Sequence, residues 1–204
     1  MPELTGKAVL EVERKFRITN ALAQSLPEKL VSLGFQPAGE TIMKDTFLPT
    51  ENPADMLRIR EEETITPSDS VEHRIVLTAK RWMIFPDGSK EREEQEEVIG
   101  TLSRDSYIRL GERLAGGALS TFSKKRSLYS GQLGDFASVV SIDHALGLGT
   151  YSGYYMEIEV LVETDIALAD VRQQIQKHAA RLLGADAEMV TLSYMDMLRL
   201  AGSA

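Results

Sequence analysis

Charged side chains alternate along the segment Leu10–Phe16, which reads LEVERKF. Alternate residues of a β-strand lie on one face, so a strand here places Glu11, Glu13 and Lys15 side by side. The opposite face then carries apolar residues such as Val12. Two carboxylates held next to each other on a strand suit a hard divalent cation, which prefers oxygen ligands. The segment therefore predicts a cation site on one face of a strand.

Like charges recur at alternate positions in the later predicted strands. The basic sets are Arg58 with Arg60, Arg74 with Lys80, and Lys124 with Arg126; the acidic sets are Glu94 with Glu96, after Arg92, and Glu157 with Glu159. A solvated sheet face explains any one of these strands. The whole set is harder to explain that way, because neighbouring carboxylates repel by up to about 4 kcal/mol at about 4 Å and an effective dielectric of about 20. Bound cations relieve that repulsion, and clustered Arg and Lys imply a bound polyanion.

A linear polyphosphate with divalent metal ions fits both the acidic and the basic sets. Arg binds phosphoryl oxygens in a bidentate manner, and Lys adds point charges. Mg²⁺ takes its oxygen ligands from carboxylates and phosphates together. Phosphoryl transfer depends mainly on positioning and charge neutralisation, so it requires no His or Cys nucleophile. The charge pattern therefore predicts a polar tunnel, with the apolar core outside it.

The elements that must position these residues are mostly strands. Strands are predicted at 10–16, 56–62, 72–81, 92–99, 120–129, 136–144 and 154–162, and helices at 20–33, 105–114, 169–183 and 187–200. Pro27 predicts a break in the first helix, and 44–55 reads as a turn-rich stretch because of its Pro and Asn residues. Many antiparallel strands joined by short hairpins favour a closed or nearly closed barrel. The prediction is an α+β domain: an eight-stranded antiparallel β-barrel with flanking α-helices, in one unit over residues 1–204 with a core of about 8–200.

Composition limits the other possibilities. The chain has 204 residues, 43% of them hydrophobic, no cysteine and a net charge of −8. The acidic balance argues against nucleic-acid binding, which needs clustered basic residues. No apolar run approaches the roughly 20 residues of a membrane helix. We therefore expect a cytoplasmic protein without membrane or nucleic-acid partners, as a monomer or homodimer.

The ordered motifs resemble those of the CYTH superfamily, the triphosphate tunnel metalloenzymes. The motifs are E-x-E-x-K at 11–15, R-x-R at 58–60, T-x-K at 78–80, R-x-E-x-E at 92–96, K-x-R at 124–126, Asp143, and E-x-E at 157–159. The wording EVERKF, together with Asp45-Thr46-Phe47, is similar to thiamine triphosphatases in particular. Leu48-Pro49-Thr50 departs from that pattern, which leaves the organic part of the substrate open.

The resemblance implies an eight-stranded triphosphate tunnel that hydrolyses inorganic or thiamine triphosphate with Mg²⁺ or Mn²⁺ and metal-activated water. It implies catalytic roles for Glu11, Glu13, Lys15 and Glu159. The implied triphosphate ligands are Lys15, Arg58, Arg60, Lys80, Arg92, Lys124 and Arg126. The implied metal ligands are Glu11, Glu13, Asp143, Glu157 and Glu159, with Glu94 and Glu96 as further candidates.

Two other functions use the same residues. A class IV adenylyl cyclase, which makes cyclic AMP and pyrophosphate from ATP, needs the same tunnel and also a base pocket, and no sequence feature establishes that pocket. A non-catalytic polyphosphate-binding module needs mainly the basic residues, so the full set of carboxylates argues against it. The hydrolase remains the preferred interpretation.

Overall fold

The computed structural model describes residues 9–52, 55–66, 68, 70–84, 90–163, 168–184 and 188–202, with the backbone alone at 9, 82–84, 90–93 and 163. Its strands are β1 Val9–Ile18, β2 Gln36–Leu48, β3 Met56–Ile65, β4 Val71–Ile84, β5 Lys90–Val98, β6 Thr121–Leu133, β7 Phe136–Leu146, β8 Gly153–Glu163 and β9 Met189–Val190. Its helices are α1 Asn20–Ser32, α2 Thr101–Ala115, α3 Leu168–Leu183 and α4 Tyr194–Gly202, with a short 3-10 turn at Gly149–Tyr151. The α+β class predicted from the sequence is confirmed.

The strands form one antiparallel sheet in the order β5-β4-β3-β2-β6-β7-β8-β1-β9. The sheet curls until β5 meets β1, where Arg92 pairs with Glu11. That junction is much shorter than the β1–β8 pairing, which runs from Val9 to Ile18. The predicted eight-stranded barrel is thus a nine-stranded curled sheet in which the end strand β5 meets β1, the last strand but one, without pairing along its length.

The main apolar core lies outside the curl. On β1, Leu10, Val12 and Phe16 are buried against helices α1 and α3, while Glu11, Glu13 and Lys15 face the interior. Helix α1 contributes Leu26 and Leu30 to this core, and α3 contributes the buried residues Val171, Ile175, Ala179 and Leu182. Burial of apolar surface drives this packing. The hydrophobic face of the sheet therefore packs against the helices, and the charged face turns inward.

A second apolar cluster closes one end of the interior. Phe47, Phe122 and Tyr155 pack there against Tyr194 and Met197 of α4. Rings 122 and 194 lie 5.2 Å apart, and rings 155 and 194 meet edge to face at 5.5 Å. Helix α4 therefore brings its first residues against the charged interior.

Three local predictions were wrong. The turn-rich interpretation of 44–55 missed β2, which begins at Gln36 and continues to Leu48 before the turn. Pro27 does not break α1: the helix runs from Asn20 to Ser32 through it, although an interior proline removes one intrahelical hydrogen bond. The predicted helix over 187–200 begins only at Tyr194, because Met189–Val190 pairs with β1 as a short strand.

Among the described residues, no helix has both the length and the apolar character needed to cross a membrane.

Candidate active site

The curled sheet encloses a cavity of about 260 Å³ lined by interior-facing charged side chains. It brings together nearly all of the residues predicted from the alternating pattern. These are Glu11, Glu13, Lys15, Arg58, Arg60, Lys80, Glu94, Glu96, Lys124, Arg126, Glu157 and Glu159. Arg92 pairs with Glu11 through the backbone, but its side chain lies outside the described residues. Asp45 and Tyr194 also line the cavity, whereas Asp143 does not.

The basic pair of β3 is held by a buried carboxylate of β2. Asp45 accepts hydrogen bonds from Arg60 Nε at 2.7 Å and Nη2 at 2.9 Å, and from Arg58 Nη1 at 3.3 Å. Burial alone raises the pKa of Asp45, but the charges of the two guanidinium groups outweigh burial and hold it well below its usual value. Asp45 is therefore ionised, and it fixes both arginines in place.

Arg58 also reaches across to β4. Its Nη2 donates to the Thr78 hydroxyl at 3.1 Å, and that hydroxyl donates to Glu96 at 3.0 Å. The Nε of Arg58 is buried and has no acceptor among the described residues. A buried donor without a partner is costly, so this N–H is a position where an oxygen of a bound anion would be stabilised.

The basic pair of β6 is held in the same way by β7. Asp143 accepts Lys124 Nζ at 2.8 Å, Arg126 Nε and Nη2 at 2.6 Å each, and the hydroxyl of Tyr194 at 2.9 Å. Burial raises the pKa of Asp143, but Arg126 and Lys124 lower it further than burial raises it. Both oxygens are already occupied by protein donors. The structure thus places this predicted metal ligand behind the basic pair, outside the cavity lining.

Two further lysines are paired with carboxylates. Lys15 Nζ lies 3.1 Å from Glu157, whose second oxygen contacts Arg126. Burial raises the pKa of Glu157, but these cations hold it well below its usual value. Lys80 Nζ lies 3.0 Å from Glu11 and 2.9 Å from Glu94. Glu157, also predicted as a metal ligand, is therefore compensated by cations of the protein.

Glu13 and Glu159, on β1 and β8, are compensated less fully than Glu11 and Glu157: Lys15 Nζ lies 4.0 Å from the Glu13 carboxylate. Glu13 and Glu159 are direct partners across the two strands, a position where like charges are destabilising. Burial, followed by the charge of Glu157, raises the pKa of Glu13 to about 7. Burial, followed by the charges of Glu11 and Glu13, raises the pKa of Glu159 to about 8. Glu11, Glu13 and Glu159 thus form an acidic cluster with an excess of negative charge.

The donors of this cluster suit a divalent cation. Within the described part of the chain, no three acidic or histidine side chains already converge as a metal cage. Mg²⁺ does not need one, since it is usually bound by one or two carboxylates together with waters and substrate phosphates. A cation would remove the repulsion that raises the pKa of Glu13 and Glu159. The cluster therefore fits a metal that enters together with an anionic ligand.

Sequence reasoning missed Tyr194 as a residue of the site. Its ring lies under two ammonium groups, with Lys15 Nζ 3.9 Å and Lys124 Nζ 4.7 Å from the ring centroid. Burial and the charge of Asp143 raise its pKa well above the usual value, so the hydroxyl stays protonated and donates to Asp143. No alternation marks this residue, because it begins a helix. Asp45 was noticed only within Asp45-Thr46-Phe47, since β2 itself was not predicted.

Comparisons with known proteins agree with this geometry. The CYTH domain model matches residues 10–194. The PH1819 protein of Pyrococcus horikoshii has a similar structure, with a TM-score of 0.69 and 21% identity over 93% of this chain and 98% of that one. An adenylate cyclase candidate from Vibrio parahaemolyticus has a TM-score of 0.61 and 18% identity over 93% of this chain and 98% of that one.

HpAC1 of Hippeastrum, an adenylyl cyclase candidate with a dominant triphosphatase activity, gives a TM-score of 0.59 and 16% identity over 94% of this chain and 95% of that one. At these identities the likeness concerns the fold. No curated protein sequence is significantly similar to the chain. The family model covers most of the sequence, including every motif from Glu11 to Glu159, and the chain therefore belongs to the CYTH domain family.

Proposed function

We propose that this protein is a metal-dependent triphosphatase that cleaves the terminal phosphoanhydride of inorganic or thiamine triphosphate. The observation that carries the proposal is the pairing, in one cavity, of fixed basic pairs with an under-compensated acidic cluster. A polyanion alone would satisfy the basic pairs, and a cation alone would satisfy the acids. A metal–triphosphate complex satisfies both at once.

The basic residues would bind the phosphoryl oxygens. Arg58 and Arg60 come from β3, Lys124 and Arg126 from β6, and Lys15 from β1. Guanidinium groups held by a carboxylate are already oriented, so binding requires little reordering. They also neutralise charge on the transferring phosphoryl group, which is the main requirement of this chemistry. Lys80 and Arg92 are further proposed contacts.

The proposed ligands of Mg²⁺ or Mn²⁺ are Glu11, Glu13 and Glu159. Glu94 lies close to them, because Lys80 contacts both Glu11 and Glu94. Such a metal supplies charge neutralisation and an activated water. Burial, followed by the charges of Glu11 and Glu13, raises the pKa of Glu159 to about 8, so its ionised carboxylate is a stronger base than that of an ordinary glutamate. We therefore assign to Glu159 the role of accepting a proton from the attacking water.

A substrate panel tests the proposal. Inorganic triphosphate, thiamine triphosphate and ATP are incubated with the protein and either Mg²⁺ or Mn²⁺, and phosphate, pyrophosphate and cyclic AMP are measured. We expect phosphate release from at least one triphosphate and no turnover with EDTA. Pyrophosphate with cyclic AMP from ATP would assign the cyclase reaction instead. Binding without turnover of any of the three would leave only a polyphosphate-binding module.

A further inference from the structure

Two buried aspartates, on β2 and β7, occupy matching places beside the basic pairs of β3 and β6. Asp45 is 1% exposed and Asp143 is 0% exposed. Asp45 lies on the strand beside β3, and Asp143 lies on the strand beside β6. Each receives hydrogen bonds from two basic side chains that stand two residues apart on its neighbouring strand. The two aspartates and their four cations are called the clamps below.

Each clamp fixes the orientation of an arginine side chain in addition to neutralising part of its charge. Arg60 meets Asp45 through both Nε and Nη2, and Arg126 meets Asp143 through the same two nitrogens. This fork-on-carboxylate geometry is bidentate and therefore directional. The second cation of each clamp shares one oxygen of the same carboxylate. Each clamp thus holds two positive charges against the one negative charge of its aspartate; Glu62 also lies 3.8 Å from Arg60, and Glu157 contacts Arg126.

We propose that Asp45 and Asp143 are positioning residues that hold the four cations in the geometry for phosphoryl transfer, and that neither binds metal. The inference rests on the proposed function, since it assigns how that site is organised. The four cations would otherwise repel one another in the cavity. The aspartates keep them close together and aimed, without taking part in the reaction themselves.

This role has a signature that differs from those of a metal ligand and of a residue needed only for folding. Asp45→Asn and Asp143→Asn keep the size of the side chain and remove its charge. The cavity then becomes more positive, so its affinity for a triphosphate does not fall. Turnover does fall, because the cations lose their alignment. A metal ligand would instead raise the metal concentration needed, and a purely structural residue would lower stability and affinity together.

The experiment compares these two variants with Glu62→Gln. Glu62 is a matched control, because it also faces Arg60 but only at 3.8 Å. The Kd for inorganic triphosphate is measured by calorimetry in EDTA, and kcat and the half-saturating Mg²⁺ concentration are measured by phosphate release. We expect kcat of both Asn variants to fall about 10- to 100-fold, as a misplacement of about 1 Å does. The Kd should stay the same or become smaller, the Mg²⁺ requirement should not change, and Glu62→Gln should match the wild type.

A wild-type measurement covers the case in which an Asn variant does not fold. In protein labelled with ¹⁵N-arginine, the Nε–H of Arg60 and of Arg126 should be protected from solvent exchange before any ligand is added. The unpartnered Nε–H of Arg58 should shift when inorganic triphosphate binds. Rapid exchange at Arg60 and Arg126 would overturn the inference. So would wild-type kcat in both Asn variants, a raised Mg²⁺ requirement, or a triphosphate Kd weakened along with kcat.

Failure of the inference and failure of the proposed function give different results. If the wild type hydrolyses none of the triphosphates in the panel, the proposed function fails, and the exchange measurement still decides whether the clamps are fixed. If the wild type is active but the Asn variants are equally active, only the inference fails.

Discussion

The acidic cluster and the two clamps line the same cavity but differ in how their charges are compensated. Each clamp contains its own buried aspartate, which holds its two cations in place before a ligand arrives. In the acidic cluster, Glu13 directly faces Glu159, and burial and like charges raise the pKa of both. Two residues further along the same strands, Lys15 faces Glu157, and these two charges are opposite.

The difference indicates which half of the site is complete in the protein alone. Fixed cations are ready for a polyanion, since their geometry does not depend on it. The acidic cluster is at its lowest energy only when protonated or when a cation is present. The protein therefore supplies the anion-binding half in full and leaves part of the cation-binding half to the incoming metal.

The largest expected effect comes from removing an acid of the cluster. Glu13→Gln, like Glu11→Gln, should reduce turnover by about 10²-fold or more, the scale for losing one electrostatic contact to the transition state. In EDTA, Glu13→Gln should be at least as stable as the wild type, because the substitution relieves repulsion with Glu159. Activity is measured by phosphate release and stability by thermal unfolding. Glu63→Gln, on the outer face of β3 and half-buried, is the control. Near-normal turnover with an unchanged metal requirement would contradict the metal role.

A cation of a clamp should show the opposite pattern. Arg58→Ala should weaken the binding of inorganic triphosphate in EDTA by about 10- to 100-fold, since hydrogen bonds to charged groups contribute about 1.5–3 kcal/mol. It should also destabilise the protein, because Asp45 loses one of its two partners. Arg58→Lys keeps the charge but lacks the planar fork, so we expect an intermediate Kd. Calorimetry measures the Kd, and Arg104→Ala on helix α2, whose arginine contacts Glu61 outside the cavity, is the control. Equal Kd values for Arg58→Ala and the wild type would remove the clamp from the binding site.

The raised pKa values of the acidic cluster predict that stability depends on pH. The pKa is raised from 4.5 to about 7 at Glu13 and to about 8 at Glu159, chiefly by burial and then by neighbouring carboxylates. At a pH between the unfolded pKa of 4.5 and these raised values, the folded metal-free protein holds protons that the unfolded chain has released. The stability that these two groups contribute is therefore fully present below the unfolded pKa and is lost as the pH rises through the folded pKa values.

Mg²⁺ binds the deprotonated cluster, so it should restore stability at the alkaline end and have little effect at the acidic end. Thermal unfolding in Mg²⁺ and in EDTA should give melting temperatures that coincide near about pH 5 and separate by several degrees by about pH 8. Taking the difference between the two curves cancels groups remote from the metal, such as His178. Glu13→Gln should reduce the separation. Curves that stay parallel over the whole range would refute metal binding at this cluster.

The sequence predicted the charged interior better than it predicted the supports behind it. Alternation located Glu11, Arg58, Lys124 and Glu157 correctly, because period two is a direct consequence of strand geometry. It assigned Asp143 to metal, because sequence spacing cannot show that three hydrogen bonds from β6 and a fourth from Tyr194 meet at this one carboxylate.

Other parts depended on tertiary contacts that leave no local pattern. Strand β2 mixes Gly39, Lys44 and Thr46 with apolar residues, and its pairing with β3 and β6 gives it a regular structure that its composition does not indicate. Tyr194 reaches the cavity because α4 packs across the end of the interior. Asp45 and Tyr194 both line the cavity and contact its basic side chains, and neither position could be located before the fold was known.

The smallest expected effect tests the outermost support of a clamp. Tyr194→Phe removes the hydroxyl that donates to Asp143 at 2.9 Å but keeps the ring under Lys15 and Lys124. Because Asp143 retains Lys124 and Arg126, the unfolding free energy should fall by only about 1 kcal/mol, and the melting temperature by about 2–4 °C. Turnover should change by no more than about threefold, since a 1 Å misplacement of the cations would cost far more. Tyr194→Leu, which also removes the ring, should be clearly worse in both measurements. A loss of turnover in Tyr194→Phe as large as that of Asp143→Asn would mean that the hydroxyl itself, and not the aspartate, holds the β6 cations in place.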